Sequence, residues 1–290
     1  MHRTHARLRI ALQKDGRLAE WSATLLQQMG LQFETYKRRL ISRCRNEPID
    51  LLFLRDDDIP SYVHDGVVHC GIVGENVVLE HGVDVDCVRK LEFGYCTLQI
   101  AAPAAGPIRA VADLHGVRIA TSYPHLLGKF LAQHQVTAEI VTVAGGVEIA
   151  PQLDVADAIC DLVSTGSTLE LHSLTSIATV TESQAVWIAH RNGHDAERQR
   201  VLDRLLVRLD GVLHARAKKY VMMNAPMTAV PQLKKIIAGQ KSPTIVPLAD
   251  PALVAVHAVV AEDFLWETLE QLRHIGATDI LVMTIEKMIA

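Results

Sequence analysis

The apolar positions in the first two thirds of the chain form short runs that alternate with stretches of helical spacing. Residues 8–13 (LRIALQ), 49–55 (IDLLFLR) and 69–74 (HCGIVG) are apolar runs of strand length. Residues 17–30 instead place their apolar side chains on one helical stripe and end in a glycine, as an amphipathic helix does. Because strands separated by helices imply helical crossovers, the pattern predicts a parallel or mostly parallel sheet.

A second stretch of alternating strands and helices begins near Thr97. Residues 97–103 and 156–163 are buried-strand patterns, residues 176–191 contain two further strand runs, and residues 195–219 form a long amphipathic helix. The pattern predicts two α/β lobes with a ligand cleft at their interface, beyond the carboxyl ends of the strands. The polar residues predicted at those ends are Lys14, residues 55–58, Glu75 and Asn76.

The remainder of the chain, residues 219–290, follows a different order of elements. A strand and a helix are followed by two strands, a second helix and a final strand, which is the βαββαβ order of a ferredoxin-like domain. The second helix begins with Glu262 and Asp263 and ends near His274 and Gly276, as charge and capping preferences favour.

Composition narrows the class of protein without naming a function. The chain has 290 residues, of which 49% are hydrophobic and 21% charged, as in a soluble globular protein. A net charge of −4 and 4% aromatic residues give no support to nucleic-acid binding. The five cysteines lack CxxC spacing, which predicts reduced thiols rather than disulfides or a zinc site. Neither a signal peptide nor a membrane span is recognisable, so we expect a cytoplasmic protein with no membrane partner.

Residues 157–169, DAICDLVSTGSTL, carry the strongest chemical signal. A buried strand leads to Asp161 near its exit, and a turn of hydroxyl residues around Gly166 then opens a helix. Unpaired N–H groups at such a helix start attract anions, and glycine lets the backbone approach a ligand closely. Serine and threonine also serve simply as N-caps, so this stretch alone leaves a capped turn and a phosphate cradle both open. Asp157 has the plainer alternative of a hydrogen bond to neighbouring backbone.

Six motifs in a consistent order resemble ATP phosphoribosyltransferase in its long form. Besides residues 157–169, the motifs are LQKDGRL (12–18), RDDDIP (55–60), GIVGENV (71–77), RIATSYP (118–124) and PTIVPLA (243–249). The resemblance covers essentially the whole chain. It implies two catalytic lobes similar to periplasmic binding proteins and a regulatory third domain. The boundaries we expect are 1–96 with 186–218 for lobe I, 97–185 for lobe II, and 219–290 for the regulatory domain.

The resemblance also implies a reaction. N1 of ATP attacks the anomeric carbon of phosphoribosyl pyrophosphate, which gives phosphoribosyl-ATP and pyrophosphate at the start of histidine biosynthesis. Mg²⁺ is the implied cofactor and accompanies the diphosphate, so no protein ligands for it are assigned. Histidine is the implied feedback inhibitor, and a homo-hexamer in equilibrium with a dimer is the implied assembly.

The resemblance assigns expected roles to residues of this chain. The loop expected to bind the 5-phosphate consists of Ser164, Thr165, Gly166, Ser167 and Thr168. The acids expected on the ribose side are Glu148 and Asp161, and the cations expected at the diphosphate or triphosphate are Lys14 and Arg55. Asn76 is a candidate for purine or ribose contact. The positions that align with histidine contacts are Asn224, Thr244 and Asp279.

Two positions depart from the family pattern. His69 stands where many relatives carry an acid, so we expect the packing around it to differ. Ser167 stands where relatives vary among small or basic residues, which leaves its contact with phosphate open.

Two rival functions have to be weighed against the transferase. The two lobes could form a non-catalytic small-anion-binding protein, or the chain could be a catalytically silent regulatory homologue. The absence of a recognisable signal peptide argues against the first rival. The presence of Lys14, Arg55, Glu148 and the STGST loop argues against the second.

Overall fold

The computed structural model describes residues 7–34, 40–164, 166–237 and 243–289. The chain divides into two compact units. The first consists of Met1–Gln27 with Leu31–Val201, and the second of Gln28–Gly30 with Leu202–Ala290. Two separate sheets organise the first unit, and a third sheet organises the second.

The first sheet has six strands and three flanking helices. Its strands, in the order in which they lie side by side, are β2 (Ile41–Arg43), β3 (Ile49–Leu54), β1 (Leu8–Gln13), β4 (Cys70–Gly74), β11 (Ala185–His190) and β5 (Val85–Lys90). The helices are α1 (Arg17–Gln28), α2 (Asp58–His64) and α3 (Glu75–His81). Ile59, Val63 and Val77 bury the inner faces of α2 and α3 against β4 and β11, and this packing forms one of the apolar cores.

The second sheet has five strands. In spatial order they are β10 (Leu174–Ser183), β6 (Cys96–Pro103), β9 (Ala158–Val163), β7 (Arg118–Thr121) and β8 (Glu139–Thr142). Helix α4 (Pro124–Gln133) covers it with Leu127 and Phe130, and the short helix α5 (Ser167–Leu171) follows β9. The long helix α6 (Ala196–Arg216) comes after β11, and the boundary between the two units falls within it.

The prediction of parallel or mostly parallel sheets is wrong. In the first sheet β1 runs parallel to its neighbours β3 and β4. Strand β2 is antiparallel to β3, and β11 is antiparallel to both of its neighbours, β4 and β5. In the second sheet β7 is parallel to β8 and β9, whereas β6 is antiparallel to β9 and β10. The chain passes from the first sheet to the second after β5 and returns after β10. Because β11 re-enters the first sheet from the other lobe, it is not bound to the direction that a helical crossover imposes.

Two strands and one helix boundary also differ from the sequence pattern. Strands β2 and β5 lie at the two edges of the first sheet, and neither was predicted. They are short, polar and largely exposed, so only their neighbours make them strands. Helix α2 begins at Asp58 and includes Pro60, which the sequence pattern places in a turn. Proline is tolerated there because N–H groups in the first turn have no partner within the helix.

Gly71 in β4 allows α2 to approach the sheet. A Cβ atom on this residue would lie 2.6 Å from Cγ2 of Ile59 and 3.3 Å from Cγ2 of Val63. Neither side chain has solvent exposure, so neither has room to move aside. The first glycine of the GIVG motif is therefore required by packing.

The second unit confirms the predicted ferredoxin-like order. Its elements are β12 (Lys218–Pro226), α7 (Val230–Ile236), β13 (Thr244–Pro247), β14 (Leu253–Ala261), α8 (Leu265–His274) and β15 (Thr278–Thr284). The strands lie in the order β13-β14-β12-β15, and all of their pairings are antiparallel. Leu233, Leu265 and Leu272 pack the two helices onto Val221 and Val256 of the sheet.

Among the described residues no helix combines the length and the apolar character needed to cross a bilayer.

Candidate active site

The end of the first sheet brings two predicted cations together. Lys14 follows β1 and Arg55 follows β3, which are neighbouring parallel strands with Gln13 opposite Leu54. The backbone N–H of Lys14 donates to the carbonyl oxygen of Leu54 at 2.8 Å, so the alignment persists past the strand ends. Both side chains are exposed. A pair of cations at the carboxyl edge of a sheet suits an anionic ligand.

The corresponding edge of the second sheet carries Tyr123, Glu148 and Ser164, which follow the parallel strands β7, β8 and β9. Ser164 is exposed, and Glu148 lies half-buried in a short 3₁₀ turn. The hydroxyl and carboxylate groups at this edge provide both hydrogen-bond donors and acceptors.

Both edges contribute to one cavity of about 320 Å³. Gln13, Arg17, Asp56 and Asn76 line it from the first sheet and its helices, and Tyr123 and Ser164 line it from the second. Of the predicted site residues that are fully described, Asn76 and Ser164 line the cavity itself. A cleft between two lobes, lined by a few polar groups, is the usual form of a small-molecule site.

Asn76 is almost fully buried, with 3% of its surface exposed, and its side chain is engaged in protein contacts. Its Nδ2 donates to the hydroxyl oxygen of Tyr123 at 3.0 Å. The hydroxyl of Ser183 donates to Oδ1 of Asn76 at 2.8 Å and accepts the backbone N–H of Asn76 at 3.0 Å. These bonds join α3, the start of α4 and the end of β10. Tyr123 therefore makes a polar contact across the cleft.

Of the two acidic residues predicted for the ribose side, Asp161 is influenced by the charge of Glu148. Asp161 lies on β9 opposite Gln99 of β6, and Oδ1 accepts the N–H of Leu162 at 2.8 Å. Burial raises the pKa of the Asp161 carboxyl, and the charge of Glu148 raises it further. Two carboxylates close enough to interact in this way form a negative region suited to a developing cation.

The hydroxyl-rich loop is described in part. Gly166 has a φ of +80°, the left-handed region that glycine adopts without strain, and its carbonyl oxygen accepts the N–H of Glu170. Thr165 lies outside the described residues, and so do the side chains of Ser167 and Thr168, whose backbone begins α5.

Asp157 directly precedes β9, at the end of the strand opposite Ser164, and forms hydrogen bonds with Arg118. Its Oδ2 accepts the backbone N–H of Arg118 at 3.0 Å, and its Oδ1 accepts from the guanidinium at 2.8 Å. These bonds lower the pKa of the Asp157 carboxyl. The plainer alternative that the sequence left open for Asp157 is confirmed.

Comparison with protein families decides the identity of the chain. The sequence model of HisG, ATP phosphoribosyltransferase, matches residues 55–211, and that of the HisG C-terminal domain matches residues 215–287. The chain belongs to the ATP phosphoribosyltransferase family. It is therefore a transferase that joins N1 of ATP to the anomeric carbon of phosphoribosyl pyrophosphate, the first step of histidine biosynthesis. Enzymes of this family in general use Mg²⁺.

A solved structure of the family shows the same fold, and two binding proteins are weaker structural matches. The ATP phosphoribosyl transferase (HisG:HisZ) complex from Thermotoga maritima matches with 24% identity and a TM-score of 0.60, over 70% of this chain and 98% of that one. The alkanesulfonate-binding protein SsuA from Xanthomonas axonopodis pv. citri is 20% identical over 72% of this chain and 74% of its own, with a TM-score of 0.44. The arginine-bound ArgBP from T. maritima is 12% identical over 70% and 96%, with a TM-score of 0.45.

The C-terminal domain carries the three residues predicted to contact histidine, and two of them are in contact with each other. Nδ2 of Asn224 donates to Oδ2 of Asp279 at 3.1 Å, and the Thr278 hydroxyl donates to the same oxygen at 3.2 Å. Asp279 has a φ of +52°, which a non-glycine residue rarely adopts. Thr244 is exposed on β13, two strands away from Asn224.

His69, around which the sequence predicts a difference in packing, is bonded to the backbone of β1. Its Nδ1 accepts the backbone N–H of Arg9 at 2.9 Å, a bond that requires the ring nitrogen to be unprotonated. Burial lowers the pKa of His69 to about 4, with further contributions from Arg198, His194 and Arg9. The imidazole therefore serves as a neutral hydrogen-bond acceptor.

Sequence reasoning missed several residues of the cavity. Arg17 lies three positions after Lys14 on the first turn of α1, and Gln13 is the last residue of β1. The rule that ligands lie beyond the carboxyl ends of strands would have selected both, had it been applied to every residue around the turn after β1. Tyr95 and Trp21 also line the cavity, but their position depends on how the chain crosses between the lobes.

Proposed function

We propose that phosphoribosyl transfer takes place in the cleft between the two sheets of the first unit. The observation that carries this proposal is one cavity that strand ends of both lobes reach, with Arg17 and Asp56 on one side and Ser164 on the other. A transfer between two large anionic substrates needs both of them held in one orientation, and a two-sided cleft provides this. The catalytic lobes proposed are residues 1–96 with 186–218, and 97–185.

The second lobe is proposed to hold the phosphoribosyl group. Residues 164–168 would surround the 5-phosphate, because Gly166 leaves its backbone open and the loop is rich in hydroxyl groups. A Cβ added to Gly166 would meet no atom within 4 Å, so a ligand has room there. Glu148 and Asp161 would accept hydrogen bonds from the ribose hydroxyls. Their charge would stabilise the positive charge that develops on the ribose ring as pyrophosphate departs.

The first lobe is proposed to hold polyphosphate. Lys14 and Arg55 present exposed cations side by side at the strand ends, and Arg17 adds a third cation within the cavity. Arginine suits paired phosphate oxygens, and lysine acts as a point charge. Asn76 is proposed to support the purine or ribose from its position in the cavity wall.

Mg²⁺ is proposed to enter as part of the substrate, held mainly by the diphosphate. The donor set of the cleft fits such a role, because Asp56 offers a carboxylate in the cavity wall. Magnesium accepts one or two carboxylates and keeps several water molecules. No group of three or more potential protein ligands occurs among the described residues. When bound, the ion would neutralise charge on the departing pyrophosphate.

The activity is tested by mixing the full chain with ATP, phosphoribosyl pyrophosphate and Mg²⁺ and following the chromophore of N1-substituted adenine. Ser164→Ala is expected to raise KM for phosphoribosyl pyrophosphate about fivefold to a hundredfold, as the loss of a hydrogen bond to phosphate implies. KM for ATP should stay within about twofold. Ser176→Ala, which removes an exposed hydroxyl on β10, is the matched control. Equal weakening of both substrates by Ser164→Ala would show that the loop is misassigned.

Feedback inhibition by histidine is proposed to act through residues 219–290. The contact between Asn224 and Asp279 would supply an amide and a carboxylate to an amino acid, and Thr244 a hydroxyl. Asp279→Asn keeps the side-chain size and tolerates the positive φ, so it tests the charge alone. We expect it to raise the histidine concentration for half-inhibition at least tenfold without changing uninhibited kcat. Unchanged inhibition would contradict the assignment.

The assembly and location follow the family in this proposal. We expect a homo-hexamer in equilibrium with a dimer, in the cytoplasm. Light scattering at several protein concentrations, with and without histidine, measures the assembly. A measured molar mass equal to that of a single chain under all conditions would refute this assembly.

A further inference from the structure

The start of helix α4 takes its cap from another part of the chain. Tyr123, which precedes the helix, makes no side-chain cap bond, and the first turn contains no acidic residue. Instead the backbone N–H groups of His125 and Leu126 donate to the two carboxylate oxygens of Glu80, at 2.8 and 2.9 Å. The first N–H groups of a helix have no partner within it, and a negative charge there is favourable. Glu80 therefore caps α4 with both oxygens.

Glu80 belongs to the opposite lobe. It lies in α3, which follows β4 of the first sheet, whereas α4 follows β7 of the second. Asn76 lies one turn earlier in α3, and its Nδ2 donates to the hydroxyl oxygen of Tyr123 at 3.0 Å. Residues four apart lie on the same face of a helix. One face of α3 thus makes three hydrogen bonds to the residues that open α4.

These bonds lie where they can influence the spacing of the cleft. Helix α3 starts at the strand end of one lobe and α4 at the strand end of the other, and both Asn76 and Tyr123 line the cavity. The lobes are also joined by the two hydrogen bonds between Asn76 and Ser183 and by the chain crossings at residues 91–95 and at Gln184. Hydrogen bonds to a carboxylate are stronger than neutral ones, so Glu80 contributes most to the bonding between α3 and the start of α4.

We propose that Glu80 is a positioning residue for phosphoribosyl transfer, holding the two sides of the cleft at the separation at which both substrates meet. The proposal rests on the proposed placement of the reaction in this cleft. Each substrate is bound mainly by one lobe, so loosening the link leaves binding largely intact. It makes the reactive arrangement rarer, which lowers kcat.

The opposing explanation is that Glu80 only stabilises α4. Asp113 offers a matched control, because its Oδ2 accepts the backbone N–H groups of Arg109 and Ala110, both at 2.9 Å. That cap has the same number of bonds but lies within one lobe. A second control is Glu80→Ala with His125→Glu, which returns a negative charge to the first turn of α4 from its own lobe.

In the test, kcat and KM for both substrates are measured on the full chain with ATP, phosphoribosyl pyrophosphate and Mg²⁺, together with calorimetric binding of phosphoribosyl pyrophosphate alone. We expect Glu80→Ala to lower kcat about tenfold to a hundredfold, with KM and binding within about threefold. Asp113→Ala should lower the melting temperature and leave kcat within twofold. Adding His125→Glu should restore the melting temperature of Glu80→Ala but not its kcat.

The outcomes separate the inference from the proposed function. If Glu80→Ala keeps kcat within twofold, or if His125→Glu restores kcat, Glu80 is only a cap and the inference is overturned. An equal loss of kcat in Asp113→Ala overturns it as well. If the wild-type chain forms no phosphoribosyl-ATP, the proposed function fails first, whatever the variants do to stability and binding.

Discussion

The neutral imidazole of His69 makes the stability of the first unit depend on pH in a defined direction. In the folded chain its pKa is about 4, against 6.5 for an unperturbed histidine. Between these values the unfolded chain binds one more proton than the folded chain at this site. The free energy of unfolding therefore falls as the pH drops from about 6.5 to about 4, and this contribution changes no further below that.

The magnitude follows from the pKa difference. A shift of one unit corresponds to about 1.4 kcal/mol, so the full difference corresponds to ~3 kcal/mol. The ring is only half-buried, and solvent screens part of the repulsion from Arg9 and Arg198. We therefore expect a loss of about 1–2 kcal/mol between pH 7 and pH 4.5 from His69 alone.

The assay is urea unfolding at several pH values for the wild type and His69→Asn. The Oδ1 atom of asparagine can replace Nδ1 as acceptor for the Arg9 N–H, but asparagine does not titrate. Fluorescence of Trp187, which has no solvent exposure and lies in the same unit, reports the transition. Acidic groups such as Asp157 affect both proteins alike, so the difference between them isolates His69. Identical losses of stability in the two proteins would show that His69 is not held neutral by the fold.

Two further substitutions test the packing at Gly71 and the hydrogen bonds between Ser183 and Asn76. Gly71→Ala should destabilise the chain by about 1–3 kcal/mol, because its Cβ would lie 2.6 Å from Ile59. Gly128→Ala, a helical glycine whose nearest added contact is 3.7 Å, should cost nothing in the same thermal melts. Ser183→Ala should cost about 2–5 kcal/mol in denaturant titrations, since it leaves two buried polar groups of Asn76 unpaired. A cost below about 1 kcal/mol in either case would count against the reasoning.

The site is only partly readable from local sequence. Lys14 and Arg55 follow apolar runs directly, so the rule that ligands lie beyond strand ends made them candidates, and the family resemblance supplied their expected roles. Tyr123 and Glu80 gave no such signal, because their partners are 47 and about 45 positions away in the chain. Asp157 precedes β9 and Asp161 lies within it, and only the structure shows that the first is bound to Arg118 while the charge of Glu148 acts on the second.

What the sequence by itself determined is the set of elements and their class. Apolar periodicity is a local property, so it located β1, β3 and β4 and the βαββαβ order of the second unit. Strand direction and lobe contacts were decided only by the tertiary structure. The exposed edge strands β2 and β5 need a neighbour to exist, and β11 runs antiparallel because it returns from the other lobe. The capping of α4 by Glu80 likewise depends on the contact between two helices that belong to different sheets.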